Sequence, residues 1–324
     1  MRSTKICIAG AGAVGCHLAA LLAPYYDVSV LARGEQLAAI RANGVYANVN
    51  GIRNGGPVRA SHSPLDLGQQ DYVLVTVKSH ALPILLQEIQ PLLGTKTSVV
   101  FLQNGIPWWY EAACQPEDRN LIGFLDPGAH LSTAIGHERL IGGITANACR
   151  LIEPGVSEVV GESQPMVLGE PSGVMTERLD LLQRLMEQAG QRTVCTNDIL
   201  KAVWTKLVQN LGSAPLMVLL PMPVNQLYSE PACVTARLCM QTEVLAIARA
   251  WGFTLDLDLQ KQLIYVQTIA HIPSIAQDIL AGKLPEFETL LQAPLIMARL
   301  KNVPTPMLSL LTGLAKLKIR SIGL

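Results

Sequence analysis

A strand that runs into a glycine turn and then into a helix constrains this chain more than any other stretch. The sequence from Lys5 to Gly15 reads KICIAGAGAVG, so a short apolar run leads into glycines spaced G-x-G-x-x-G. The first glycine permits a tight turn, the second leaves no side chain between the backbone and a pyrophosphate, and the third lets the helix pack closely on the strand. The helix N-terminus then presents free N–H groups to phosphates. The stretch therefore predicts a Rossmann-type dinucleotide site, the alternative being an incidental glycine-rich turn. Its residues are Gly10, Ala11, Gly12, Ala13, Val14 and Gly15.

The second predicted strand, residues 27–33, indicates which dinucleotide binds. A site for NAD would place an acidic residue near the end of this strand, about 20 residues after the glycines, to hold the ribose hydroxyls. The strand ends instead in Ala32 and Arg33, and a guanidinium suits the 2′-phosphate of NADP(H). We therefore predict NADP(H) as the cofactor. Two alternatives stay open, because Glu35 is close by and Arg33 could be a solvated loop charge.

Composition limits the broad class of the protein. A chain of 324 residues with 49% hydrophobic and 15% charged residues can bury a large core and is expected to form two domains. Its formal net charge is zero, which argues against nucleic acid as a partner. We find no charged-then-apolar leader and no apolar run of about 18 residues, so we expect a cytoplasmic protein without a membrane partner. The seven cysteines lack C-x-x-C spacing and the six histidines lack ligand spacing, so neither disulfides nor a metal is predicted.

Strand and helix patterns alternate as far as about residue 196, and helical periodicity follows. The predicted fold class is α/β, with an N-terminal Rossmann-type NADP-binding domain (1–196) and an all-helical C-terminal domain (197–324) that carries substrate and catalysis. Within the first domain, the helix after the glycines is expected to be amphipathic. Runs 144–149, 157–160 and 166–168 are expected to extend the sheet, and 126–139 is expected to be a surface insertion.

Polar residues follow two predicted strands at the edge where doubly wound sheets bind ligands. Lys78 follows one strand and is a candidate contact to the cofactor ribose, or else a solvated loop lysine. Asn104 follows the next and could hold nicotinamide or substrate, or else be a turn residue before glycine. Lys206 and Asn210 are four residues apart on the first helix of the second domain, so they share one face, which could also be a plain solvated face.

Taken in order, these motifs resemble the ketopantoate reductase (2-dehydropantoate 2-reductase) family over nearly the whole chain. The resemblance implies NADPH-dependent reduction of a 2-oxo acid to a 2-hydroxy acid, with ketopantoate to pantoate, as in pantothenate biosynthesis, the best single substrate. It also implies the catalytic pair Lys206 and Glu286, with substrate contacts from Asn210 and Ser274. By the same resemblance Lys78 and Asn104 would lie near the nicotinamide and substrate. The motifs that carry it are the glycine turn, Arg33, Val77-Lys78, Gln103-Asn104-Gly105, Trp204 to Leu207 with Asn210, and Ser274 with Gln277, Asp278 and Glu286.

The chain departs from the family pattern on the substrate side. Ala214, two turns beyond Lys206, stands where the family usually has a second asparagine, and His271 stands where an asparagine is common. Gln292 replaces a common glycine six residues after Glu286, which leaves Glu288 as the fallback for the acidic residue. The alternative function is therefore a paralogous reductase of another 2-oxo or β-keto substrate. A non-catalytic NADP(H)-binding sensor is a third hypothesis, and a monomer or homodimer is expected.

The predicted role of Arg33 can be tested directly. Charge-assisted hydrogen bonds to a phosphate contribute about 1.5–3 kcal/mol, so Arg33→Ala should weaken NADPH binding by about 10- to 150-fold and leave NADH binding nearly unchanged. Titration of both nucleotides against the variant measures this. Equal losses for the two cofactors would show that Arg33 does not contact the 2′-phosphate.

Overall fold

The protein is described here by a computed structural model that covers residues 3–114 and 122–324. It forms two compact units. The first comprises residues 1–103 and 126–199, and the second comprises 104–125 and 200–324. The predicted division was at 196/197, whereas the last boundary between the units lies at 199/200 and residues 104–125 are grouped with the C-terminal helices. The sequence of 104–125 gives little sign of this grouping, because the segment comes soon after a strand of the first unit.

The first unit contains an eight-stranded sheet that is parallel except at one pair. Its strands lie in the order β12-β11-β8-β7-β6-β1-β2-β5, and β8 with β11 is the antiparallel pair. The strand β1 at Lys5–Ala9 pairs with β2 and β6, so it occupies the centre that its apolar sequence predicts. The other strands are β2 Asp27–Leu31, β5 Arg59–Ser61, β6 Gln70–Val75, β7 Leu93–Phe101, β8 Leu140–Ile144, β11 Met166–Gly169 and β12 Thr193–Cys195.

A second, four-stranded sheet belongs to the same unit. It contains β3 Val45–Val49, β4 Ile52–Gly56, β9 Cys149–Glu153 and β10 Val156–Val159, in the order β4-β3-β10-β9. The prediction that all three later runs extend the main sheet is wrong for two of them. Most of 144–149 connects β8 to β9, and 157–160 belongs to β10. Only 166–168 joins the main sheet, as β11. The local sequence of a short strand between glycines does not indicate which of two sheets the strand joins.

The helices divide between the units as the fold class predicts. The first unit holds α1 Ala13–Leu22, α2 Gly34–Asn43, α3 Leu82–Glu88, α5 His130–Ile135 and α6 Glu177–Gln188. Among its described residues, the second unit contains helices and no strand. Its helices are α4 Ile122–Leu125, α7 Ile199–Leu211, α8 Ala214–Leu219, α9 Val224–Leu227, α10 Pro231–Ala250, α11 Leu259–Thr268, α12 Ser274–Leu280, α13 Ala293–Leu300 and α14 Pro306–Ser321, with a π-helical turn at Glu288–Gln292. Within the described ranges, no helix combines the length and apolarity needed to cross a bilayer.

The helix α1 lies between the two sheets and is not amphipathic. It packs against β1 and β2 on one side and against β3, β4, β9 and β10 on the other. Every residue from Gly15 to Leu22 is consequently buried. A helix that is covered all round needs small or apolar residues on every face, which explains its composition. The second sheet therefore accounts for the error in the predicted amphipathic pattern.

Residues 126–139, expected to be a surface insertion, form an ordered packed element. Leu131 and Ile135 of α5 are buried, and α5 packs on α3. The buried Asp126 carboxylate accepts hydrogen bonds from the backbone N–H of Leu131 at 2.8 Å and of Ser132 at 2.9 Å, and from the Ser132 hydroxyl at 2.7 Å. Asp126 thus satisfies N–H groups that the start of a helix leaves unpaired.

We expect the Asp126 cap to matter more than an exposed cap of the same kind. Asp126→Ala leaves buried N–H groups without partners and should lower stability by about 1–3 kcal/mol, seen as an earlier urea midpoint. Asp258, which accepts from the Lys261 N–H at 2.9 Å at the exposed start of α11, is the matched control. Asp258→Ala should cost about 1 kcal/mol or less. Equal losses in the two variants would contradict the buried role of Asp126.

Candidate functional site

The glycine turn between β1 and α1 is fixed by close backbone packing. Gly10 has a φ of +120°, a conformation that side-chain-bearing residues rarely adopt. A Cβ added at Gly15 would lie 1.9 Å from the Gly10 carbonyl oxygen and 2.7 Å from the Thr76 hydroxyl. Thr76 in turn donates its hydroxyl to the Gly10 carbonyl at 2.7 Å. Thr76, which the sequence reasoning missed, therefore locks the turn from the neighbouring strand end.

The start of α1 fits a dinucleotide phosphate. Gly12 is exposed, and a Cβ added there would meet no atom within 4 Å, so the backbone is open to a ligand. The first turn of α1 contains no acidic residue, and no side chain caps it. Its N–H groups and the positive end of its dipole are therefore directed at the space beyond Gly12.

Arg33 and Lys78 belong to the same unit as the glycine turn. Arg33 precedes the first residue of α2, is exposed, and forms an ion pair with Glu88, the last residue of α3. Glu88 lies 55 residues after Arg33, so the residues that follow β2 in the sequence give no sign of this pairing. Lys78 is half-buried and follows β6 at the start of a short 3₁₀ turn, as the strand pattern predicted.

Lys206 and Asn210 lie one turn apart on α7, in the second unit, and both are half-buried. The helix is held by Trp204, which is fully buried and donates its indole N–H to the Tyr110 hydroxyl at 2.9 Å. Burial lowers the pKa of the Lys206 ammonium below its ordinary value of 10.5. Within the described residues, no carboxylate pairs with Lys206 to oppose this shift. A lysine of this kind loses its proton more readily than an exposed one.

Asn104 and Glu286 come together in the second unit although 182 residues separate them. The Asn104 amide N–H donates to a Glu286 carboxylate oxygen at 3.4 Å. The backbone on either side reinforces the contact, since the Thr289 hydroxyl donates to the Asn104 carbonyl at 3.3 Å and the Ile106 N–H donates to the Thr289 carbonyl at 2.9 Å. Glu286 was predicted as the acidic partner of Lys206. In this structure its carboxylate accepts a hydrogen bond from the Asn104 amide, and its role beside Lys206 stays a prediction.

The remaining candidates on the substrate side occupy separate positions in the second unit. Ser274 is the first residue of α12 and is exposed. Glu288 is exposed whereas Glu286 is half-buried, which favours Glu286 over its fallback. His271 is half-buried and its carbonyl accepts the Val224 N–H at 3.2 Å, while burial lowers the pKa of its ring. These positions do not by themselves assign a role, and the roles of Ser274 and Glu286 stay predictions.

Ala214 lies on a different helix from Lys206, whereas the spacing predicted one continuous helix through both. The helix α7 ends at Leu211, and Ala214 begins α8 as a buried residue. Pro215 explains the break, because it has no N–H to donate and its ring prevents α7 from continuing through it. The position of residue 214 is therefore set by the start of α8 and not by the row that Lys206 and Asn210 form on α7.

A buried arginine that the sequence reasoning missed holds the end of α7. Arg237 has 1% of its surface exposed and donates to the Ser213 hydroxyl at 2.6 Å and the Tyr228 hydroxyl at 3.4 Å. Tyr228 donates to the Gly212 carbonyl at 2.9 Å. A positive charge at the C-terminus of a helix is stabilised by the helix dipole. The arginine therefore anchors the segment that follows Asn210.

Comparisons with known proteins cover nearly the whole chain. The family model "Ketopantoate reductase PanE/ApbA" matches residues 6–173, and its companion "Ketopantoate reductase PanE/ApbA C terminal" matches residues 198–319. A 2-dehydropantoate 2-reductase of Mesorhizobium japonicum is 35% identical over 316 residues, which are 96% of this chain and 97% of that protein.

Solved structures show the same architecture. A crystal structure from Ralstonia solanacearum MolK2 is 31% identical, with a TM-score of 0.92 over 99% of each chain. The ternary structure of D-mandelate dehydrogenase with NADH and anilino(oxo)acetate is 21% identical, with a TM-score of 0.83 over 99% of this chain and 100% of that one. At 21% identity the likeness is one of fold alone.

The burial of Lys206 should cost stability at neutral pH. Lys206→Met should raise the melting temperature at pH 7 by on the order of 2 °C. When the parent folds, the Lys206 ammonium loses part of its hydration without gaining a carboxylate partner among the described residues, and the variant avoids this cost. The cost applies below the lowered pKa of the folded state and disappears above the ordinary lysine value of 10.5. The gap between variant and parent should therefore narrow as the pH rises toward 10.5.

Lys201→Met is the matched control for this measurement, since Lys201 is an exposed lysine of the same helix. Its melting temperature at pH 7 should show no such rise. A Lys206→Met protein that melts at or below the temperature of the parent would contradict the cost of burial.

Proposed function

This chain belongs to the ketopantoate reductase family, and we propose that it reduces ketopantoate to pantoate with NADPH. Members of the family are NADP-dependent oxidoreductases that act on CH–OH groups. The observation that carries the proposal for this chain is Lys206, a half-buried lysine whose pKa is lowered by burial and which shares a helix face with Asn210. A proton donor of that kind is what the reduction of a ketone requires.

The first unit supplies the residues that we propose to hold the cofactor. Gly10 to Gly15 and the N-terminus of α1 would bind the pyrophosphate, Arg33 the 2′-phosphate, and Lys78 the ribose. When bound, the reduced nicotinamide supplies the hydride for the substrate carbonyl carbon. The open backbone at Gly12 and the lack of an acidic residue in the first turn of α1 support the pyrophosphate position.

Lys206 is proposed to stabilise and then protonate the carbonyl oxygen of the substrate. Negative charge grows on that oxygen as the carbon is reduced, and an ammonium beside it lowers the energy of the transition state. Burial strengthens this interaction, because the surroundings screen charge less than water does. Burial also brings the pKa of the donor closer to neutrality, which eases transfer of the proton. The oxygen becomes the hydroxyl of pantoate, and Lys206 recovers its proton from solvent.

The amides and the hydroxyl are proposed to position the substrate. The Glu286 carboxylate accepts a hydrogen bond from the side-chain amide N–H of Asn104 and so fixes the orientation of that amide. The side-chain oxygen Oδ1 of Asn104 is then left to accept a hydrogen bond from a substrate hydroxyl. Asn210 would contact the substrate beside Lys206, and Ser274 would add a hydrogen bond from the start of α12. Holding the reactants in place in this way lowers the activation free energy, because the loss of translational and rotational entropy occurs on binding and not in the chemical step.

Another 2-oxo acid is the second candidate substrate, and one observation favours it. Position 214 carries a buried alanine after the end of α7, so the asparagine that the family usually has there is absent and cannot contact substrate. A site that lacks a hydrogen-bonding group discriminates less well in favour of a substrate with the matching hydroxyl. A panel of 2-oxo acids, assayed by loss of NADPH absorbance, ranks the candidates by kcat/KM. A higher kcat/KM for another acid than for ketopantoate would favour this second candidate.

We further propose that the enzyme works in the cytoplasm as a monomer or homodimer. Cys7, Cys16 and Cys233 are buried thiols, the form in which a reducing compartment keeps cysteine. Light scattering on the purified protein measures its mass in solution. A stable tetramer or larger assembly would contradict the second part of the proposal.

Replacing Lys206 tests the proposed chemistry. Lys206→Ala should reduce kcat by about 10²- to 10⁴-fold, the usual contribution of a general acid, and should leave NADPH binding nearly unchanged. Lys201→Ala on the same helix is the control and should retain kcat. Undiminished turnover of ketopantoate by the Lys206→Ala protein would remove Lys206 from the mechanism.

The pH dependence of the parent enzyme gives a second reading of the same group. The proton donor is present below the pKa of Lys206 and lost above it, so kcat/KM should fall as the pH rises. Because burial lowers this pKa, the fall should be centred below 10.5. A profile that stays flat beyond that pH would contradict Lys206 as the donor.

A further inference from the structure

The ion pair between Arg33 and Glu88 places a carboxylate against the residue assigned to the cofactor phosphate. Both residues belong to the first unit, and the side chains of Arg33 and Glu88 are 62% and 37% exposed, respectively. A guanidinium N–H of Arg33 donates to a carboxylate oxygen of Glu88. Any anion that binds Arg33 is therefore repelled by the Glu88 carboxylate, which already contacts the guanidinium.

This ion pair contributes little to holding the fold together. Exposed ion pairs of this kind stabilise proteins by about 0–1 kcal/mol. Glu88 is also the last residue of α3, where the negative end of the helix dipole disfavours an acidic side chain. Local helix stability therefore does not explain a glutamate at this position. The contact of Glu88 with Arg33 points instead to a role in the binding of the cofactor.

The two side chains favour opposite forms of the cofactor. A 2′-phosphate carries a charge of about −1.5 to −2, so it attracts Arg33 and repels a carboxylate beside it. A ribose with a free 2′-hydroxyl has no such charge, and its hydroxyls can donate hydrogen bonds to a carboxylate. Glu88 therefore competes with the phosphate for Arg33 and also offers the kind of acceptor that a site for NAD uses.

We propose that Glu88 is a specificity-determining residue that weakens the preference for NADPH over NADH. The inference rests on the proposed function only through the assignment of Arg33 to the 2′-phosphate. Glu88 reduces the positive field at that position, so NADH becomes a usable second cofactor. The class of ligand is the adenosine ribose of a nicotinamide dinucleotide, with or without its 2′-phosphate.

The test is the Glu88→Gln protein, in which an amide of nearly the same shape removes only the charge. Binding of NADPH and of NADH is followed by nucleotide fluorescence and by calorimetry in the absence of any 2-oxo acid. The NADPH Kd should fall by about 3- to 10-fold, while the NADH Kd should stay the same or rise by up to about 3-fold. The ratio of the two dissociation constants should therefore change by about 3- to 30-fold in favour of NADPH.

Glu35→Gln is the matched control, since Glu35 is an exposed carboxylate in the first turn of α2, two residues from Arg33. It should change the ratio less than Glu88→Gln does. The effect of Glu88→Gln should also shrink between low and high salt, because exposed charges are screened. An unchanged ratio in Glu88→Gln, or a larger change in Glu35→Gln, would overturn the proposal.

The design separates this inference from the proposed function. A protein that reduces no 2-oxo acid but whose cofactor ratio shifts as expected would refute the proposed reaction and leave the role of Glu88 intact. A protein that reduces ketopantoate with an unchanged cofactor ratio would do the reverse. Because the pair is exposed, Glu88→Gln should fold with an unaltered circular dichroism spectrum and melting temperature, which checks that the comparison is valid.

Discussion

The close contact between the Gly10 carbonyl oxygen and Gly15 leaves no room for a side chain at position 15. The packing of the rest of the first unit depends on this contact. It sets the distance between β1 and α1, and a neighbouring strand end reinforces it through the Thr76 hydroxyl. With that distance fixed, α1 can be covered by the main sheet on one side and by the smaller sheet on the other. The same contact directs the start of the helix at the open space beyond Gly12.

A different constraint governs the second unit, where two basic side chains are taken out of water. Lys206 is half-buried and its charge is disfavoured, whereas Arg237 is buried and held by hydroxyl groups at the end of the same helix. An arginine keeps its proton under such conditions and a lysine can lose it. One residue therefore serves as a permanent anchor and the other is available for proton transfer.

The sequence predicted the elements that have a strong local signal. The glycine turn, the central strand and the helical second half follow from period and spacing, and they agree with the structure. Features that arise from distant contacts could not be predicted. The pairing of Glu88 with Arg33, the contact of Glu286 with Asn104 and the second sheet around α1 join residues far apart in the chain. The helix break before Ala214 does have a local signal, since Pro215 marks it.

The chain passes between its two units three times, at 103/104, 125/126 and 199/200. Neither unit is therefore a continuous segment. During synthesis, Tyr110 leaves the ribosome before its partners Trp204 and Trp251 have been made. A fragment that stops at residue 199 would carry Tyr110 without these partners, and a fragment that starts at 200 would lack Tyr110. Exchange of a whole unit between relatives would therefore need residues 104–125 to be moved together with the C-terminal helices.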